Sequence, residues 1–244
     1  MTGNLANVRW VLGSRSPRRL ELLRSIVGGA AIEVLPPASS DEAGFDGLSD
    51  WASIEAQLRE IVRAKEADVV QQLTCRVENR ALEGADANLD GFGSRSDPAR
   101  VTTVVVSADT TIVASRDDEE LVVLGQPPES GDWRSTVRGW FREYYLGRTH
   151  VAATAVRLAI PGGETRERVV RSRVSFHADG ERWIEWYLET GEPRGKAGGY
   201  AIQGAGSVFV SRVEGSVSNV VGLPLREVLQ MADELVGVGG ERLS

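Results

Sequence analysis

A single cysteine, Cys75, stands among the 244 residues, so no intrachain disulfide and no cysteine-built metal site can form. Histidine is nearly as scarce. His150 and His177 are the two present, too few for histidine-rich zinc chemistry. Positive charge is not in excess either: 28 Lys and Arg against 35 Asp and Glu leave a net charge of −7. That argues against a general nucleic-acid binder, because a phosphate backbone needs a basic face. No run approaches about 18 consecutive apolar residues, and no apolar segment follows the start of the chain, so no membrane contact is expected and the cytoplasm is the expected compartment. The glycine spacing of P-loops and dinucleotide-binding turns is missing, as are a nucleophile elbow and the kinase motif set.

What is present is an ordinary globular composition, 41% hydrophobic and 26% charged, in a chain long enough to bury a sizeable core. We expect a single domain over 1–244. Strand patterns fall at 8–12 and 32–35, with a helix between them that starts at Ser16 as N-cap and Pro17 as first helical residue. Asp50 caps a long helix expected to end near Leu73. A polar, turn-rich stretch at about 75–100 reads as an inserted loop. A β-branched strand over 101–106 is expected to end at Ser107-Ala108-Asp109-Thr110-Thr111, resume over 112–114 and pair with 121–124 as a hairpin. A helix over 132–146 carries an aromatic core stripe, followed by strands at 151–160 and 169–176. A helix from Asp179, a strand over 208–210 and a helix from Pro224 complete the chain. Adjacent strands without a helix between them indicate a mixed α/β sheet flanked by helices, not a doubly wound parallel one.

The segment Gly13-Ser14-Arg15-Ser16-Pro17-Arg18-Arg19 lies between the first strand and helix. Free backbone N–H groups and the helix dipole favour an anion there, and Arg18 and Arg19 add two cations. Solvated arginines at a Ser-Pro helix start are the alternative. Asp109 follows a buried strand, where a carboxylate can hold a divalent cation or accept a proton from attacking water; the alternative is a turn aspartate capping Thr110 or Thr111. Glu42, in an acidic loop, is either a second hard-metal ligand or a solvated acid. Lys65 and Lys196 are either phosphate contacts or exposed lysines, and Gln203 offers a donor and an acceptor suited to a nucleobase edge or simply solvates a turn. Together these pieces suggest metal-assisted attack on a phosphate chain.

Several blocks in order resemble the Maf family of nucleoside-triphosphate pyrophosphatases. They are the stretch from Ser14 to Leu23, Ser107-Ala108-Asp109-Thr110, Leu146-Gly147-Arg148-Thr149-His150 with Thr154-Ala155-Val156, Gly191-Glu192-Pro193, Lys196-Ala197-Gly198-Gly199-Tyr200, Ile202-Gln203-Gly204 and Asn219-Val220-Val221-Gly222-Leu223-Pro224-Leu225. The resemblance implies an inosine-triphosphatase-like α/β fold with a cleft between two lobes. It further implies hydrolysis of a nucleoside triphosphate to monophosphate and pyrophosphate with Mg²⁺ or Mn²⁺, in a cytoplasmic homodimer. By motif position Asp109 would be the proton acceptor and, with Glu42, a metal ligand. Arg18, Thr110 and Gln203 would choose the base in the manner of the dTTP/UTP-type branch. Ser14, Arg19, Lys65 and Lys196 would face the phosphates. Gln126 stands where the family usually has lysine, and Gly195 where it usually has an acid. The alternatives are a related pyrophosphatase for another or modified nucleotide, or a weakly catalytic nucleotide-binding regulator of septum formation.

Overall fold

The computed structural model describes residues 7–28, 31–39, 44–82, 101–115 and 120–237. Its centre is a mixed sheet. Strand β1 (Val8–Leu12) pairs in parallel with β2 (Ile32–Val34) and with β3 (Thr102–Ser115). β3 pairs antiparallel with β4 (Leu121–Leu124) and β5 (Thr149–Ala159); β6 (Thr165–Phe176) and β7 (Val210–Glu214) continue antiparallel beyond β5. The expected mixed α/β architecture is therefore observed.

Helix α1 (Pro17–Val27) links β1 to β2 and begins as its sequence dictates, with Ser16 Oγ accepting the Arg19 N–H at 3.4 Å. α2 (Trp51–Leu82) lies along one face of the sheet, its Ile54, Leu58, Val62, Val69 and Leu73 packed on Val11, Val105, Val113, Ala153 and Ala155. The other face carries two separate cores. α1 and α6 (Leu225–Gly237) cover the β1 end of that face. The second core holds α3 (Trp133–Trp140), the π-helical turn Phe141–Tyr145 and α4 (Ile184–Glu189). Between the two cores sits the five-residue helix α5 (Val217–Val221), whose buried Asn219 donates to the Ala152 carbonyl and to Ser172 Oγ, both at 3.0 Å.

Four expectations need correction. β3 does not stop at Ser107; it runs unbroken through Asp109 and Thr111, because β5 pairs with it from Val105 to Val113 and satisfies the backbone of its polar stretch. α2 does not end near Leu73 but continues to Leu82, since the first helix breaker after that point is Gly84. Residues 75–82 are thus helix rather than loop; the rest of the expected insertion, 83–100, lies outside the described residues. The stretch expected as a strand at 208–210 is instead the end of a 3₁₀ turn (Ala205–Phe209), and the strand starts at Val210. α5 was not expected at all.

Candidate active site

The unbroken β3 creates the site by what its neighbours leave uncovered. On one edge β1 pairs as far as Leu12↔Val106 and β4 begins at Leu124↔Ile112. Among the described residues, 107–111 between them have no strand partner on that edge. The chain leaves β1 through Gly13-Ser14 on one side and β4 through Gly125-Gln126 on the other, so both exits border the same gap.

A cleft of about 730 Å³ opens there. It is lined by Ser14, Arg18, Arg19, Lys65, Asp109, Thr110, Lys196 and Gln203, which the sequence pointed to from distant segments. Gln126 and Gly195, the two departures from the family pattern, border the cleft as well, and Glu129 adds a second acid. Glu42 lies outside the described residues.

Asp109 faces α2. Its Oδ1 accepts Lys65 Nζ at 2.6 Å, and each side chain is 12% exposed, so the pair is shielded at the cleft floor rather than solvated. Neighbouring strand residues point to opposite faces, and Thr110 accordingly meets the other layer. Its hydroxyl accepts Arg19 Nη2 at 3.2 Å and lies 2.9 Å from Thr154 Oγ1. Arg19 also donates through Nε to the Gly222 carbonyl at 2.9 Å and through Nη1 to Ser14 Oγ at 3.3 Å. One guanidinium thus ties α1, β3 and the end of α5 together, fixing the cation beside the start of α1. Arg15 instead donates to the Pro37 carbonyl at 2.6 Å, bracing the loop after β2.

The opposite wall is the segment from Gly195 to Gln203. Gly198 has φ 69°, and a Cβ there would meet Tyr145 Oη and Ile112, so only glycine fits. Its N–H donates to the Gly125 carbonyl at 2.8 Å and its carbonyl accepts the Tyr145 hydroxyl at 2.9 Å. Lys196 is thereby placed in the cleft. Burial, then the charge of Arg18, lowers the pKa of the Lys196 ammonium, with Glu192 opposing. Burial likewise lowers that of the Arg18 guanidinium, again opposed by Glu192. Two half-buried cations side by side are suited to a polyanion that takes over their solvation.

Behind this wall lies His150, which is buried. Its Nε2 is 2.8 Å from Tyr200 Oη within a ring of Tyr145, Phe176 and Tyr200. It supports the wall and does not line the cleft. Glu192, whose charge acts on Arg18 and Lys196 from behind the cleft lining, was assigned no role from the sequence; its only signal was the matched block Gly191-Glu192-Pro193.

A family model described as Maf-like protein matches residues 9–235. A protein named dTTP/UTP pyrophosphatase from Anaeromyxobacter dehalogenans (strain 2CP-1 / ATCC BAA-258) is 36% identical over 222 residues, covering 90% of this chain and 90% of its own. One of the same name from Hahella chejuensis (strain KCTC 2396) is 34% identical over 234 residues, covering 95% and 94%. Among solved structures, a nucleoside-triphosphatase / dITP/XTP pyrophosphatase from Mycobacterium abscessus is similar over 70% of this chain and 75% of that one, at 13% identity and a TM-score of 0.32. A likeness that slight bears no weight.

Proposed function

The chain belongs to the Maf-like protein family, and from that membership we propose that it hydrolyses nucleoside triphosphates, dTTP and UTP by preference, to the monophosphate and pyrophosphate. The observation that supports this most is the convergence of five cations, Arg15, Arg18, Arg19, Lys65 and Lys196, against two acids, Asp109 and Glu129, in a single cleft of a protein whose net charge is −7. Relatives carrying the dTTP/UTP name over nine-tenths of both chains supply the substrate class.

In this proposal the triphosphate lies along the start of α1. Arg19, Lys65 and Lys196 offset its charge as it builds on the leaving pyrophosphate. Asp109 accepts a proton from the attacking water as that water's oxygen bonds to phosphorus and the α–β anhydride bond breaks. Arg18, Thr110 and Gln203 stand on the base side. A divalent cation fits the donor chemistry. Magnesium is commonly held by one or two carboxylates with substrate phosphates and waters, and Asp109 supplies one such carboxylate. Glu42, the second expected ligand, lies outside the described residues, and among the described ones no three His, Cys, Asp or Glu side chains gather to hold a metal. When bound, Mg²⁺ or Mn²⁺ would neutralise phosphate charge. A cytoplasmic homodimer belongs to the same proposal. Among the described residues no helix is long and apolar enough to cross a membrane.

Gln126 favours one alternative, nucleotide binding with little turnover, because an uncharged side chain lines the cleft where a phosphate cation is usual. The test is a panel of nucleoside triphosphates with Mg²⁺ or Mn²⁺, scored by kcat/KM. The proposal expects dTTP and UTP to lead. Another base leading would overturn the specificity, and tight binding without turnover would favour the alternative.

A further inference from the structure

The base-side wall of the cleft, residues 201–206, has little regular structure to hold it, and Glu192 holds it from behind. The Glu192 carboxylate accepts the Ala205 N–H through Oε2 at 2.7 Å and the Gly206 N–H through Oε1 at 2.8 Å. The Tyr187 hydroxyl donates to Oε1 at 3.1 Å. Bonds from two consecutive amides to one carboxylate are charge-assisted and fix the turn in orientation as well as position. The fit is close: a Cβ on Gly204 would overlap Glu192 Oε2. Gln203 stands two residues before this clasp. Glu192 does not itself line the cleft, yet its charge reaches Arg18 and Lys196, which do.

We infer that Glu192 is a positioning residue for base choice: by clasping the 205–206 amides and standing as counter-charge to Arg18, it sets where Gln203 and Arg18 meet the nucleobase. This rests on the nucleotide-binding reading of the cleft. A neutral or displaced side chain at 192 would leave Arg19, Lys65 and Asp109, which stand on other elements of the phosphate side, in place.

Two variants test it. Glu192→Gln keeps the size of the side chain but replaces one accepting oxygen with an amide NH₂ that cannot accept a backbone N–H. Gly204→Ala keeps all charges and displaces the carboxylate from the other side; its φ of −121° lies outside the left-handed region that alanine avoids. In both, exchange of the Ala205 and Gly206 amides should rise at least about tenfold as the clasp opens. The kcat/KM ratio of UTP over CTP should fall about tenfold, mostly through KM, with kcat for UTP within about threefold. Thermal midpoints check that both variants fold. Unchanged amide exchange overturns the clasp, and an unchanged UTP-to-CTP ratio, or a uniform loss of kcat, overturns the role in base choice. Wild-type turnover is read separately. If wild type hydrolyses no pyrimidine triphosphate the proposed activity falls, while the UTP-to-CTP binding ratio and the amide exchange still decide for or against Glu192.

Discussion

Replacing Asp109 by Asn keeps the shape of the side chain but removes the negative charge opposite Lys65 and the basic oxygen that takes the water's proton. Loss of a general base typically slows the step by about 10²- to 10⁴-fold. Asp109→Asn should therefore lose pyrophosphate release by that factor with an unchanged circular dichroism spectrum. Retained activity would remove Asp109 from the chemistry. His150 makes the opposite use of burial. Desolvation lowers its pKa from 6.5 to about 3, so the folded protein holds it neutral while the unfolded chain binds a proton below about pH 6.5. The unfolded state gains protons as pH falls through that window, so stability is full above pH 6.5 and is lost toward pH 3. The linkage slope of about 1.4 kcal/mol per pH unit makes this on the order of 3 kcal/mol between pH 7 and pH 4. Denaturant unfolding of wild type and His150→Phe at several pH values checks it: the acid-side loss should shrink in the variant, and an equal loss in both would refute it.

Lys65 reaches Asp109 only if α2 is seated on the sheet. Beside the Arg157–Glu66 and Arg171–Glu55 pairs, Glu167 of β6 is one polar fastening of that contact. Its side chain is 10% exposed and accepts Arg59 Nη1 at 2.9 Å, Arg63 Nε at 2.9 Å and Arg157 Nη1 at 3.1 Å. Burial raises its pKa, but the hydrogen bonds from Arg63 and Arg59 and the charges of Arg63 and Arg157 prevail and hold it below the ordinary glutamate value. A depressed carboxylate contributes stability above the unfolded value of 4.5 and loses it as pH falls through the lower folded value. Glu167→Gln should cost about 1–3 kcal/mol at pH 7 by urea unfolding. Its stability should also fall less than that of wild type below pH 4.5; parallel acid curves would contradict the fastening. Helix starts were legible because their chemistry is local: Ser16-Pro17 and Asp50 cap their own next residues. The continuity of β3 was not legible, because Ser-Ala-Asp-Thr-Thr reads as a turn until β5 supplies its partners. Five-residue α5 carries too short a pattern to register, although Asn219 and Gly222 sit in a block that matched the family. Glu192 lay in a matched block but gained no role there, because two of its partners are backbone amides, which have no sequence signature.

At the scale of the molecule, two cores on one sheet face and a gap between β1 and β4 on one sheet edge leave the cleft where residues from seven segments meet. The convergence of Arg18, Lys65, Asp109, Lys196 and Gln203 was anticipated from an ordered set of blocks, whereas the geometry that joins them is a property of strand pairing alone. The central claim is that this cleft breaks the anhydride between the first and second phosphates of a nucleoside triphosphate. The most direct measurement is the product balance from UTP and dTTP with Mg²⁺, by chromatography and phosphorus NMR. Equal amounts of nucleoside monophosphate and pyrophosphate, with no diphosphate, are predicted. Nucleoside diphosphate with inorganic phosphate, or no product at all, would contradict it.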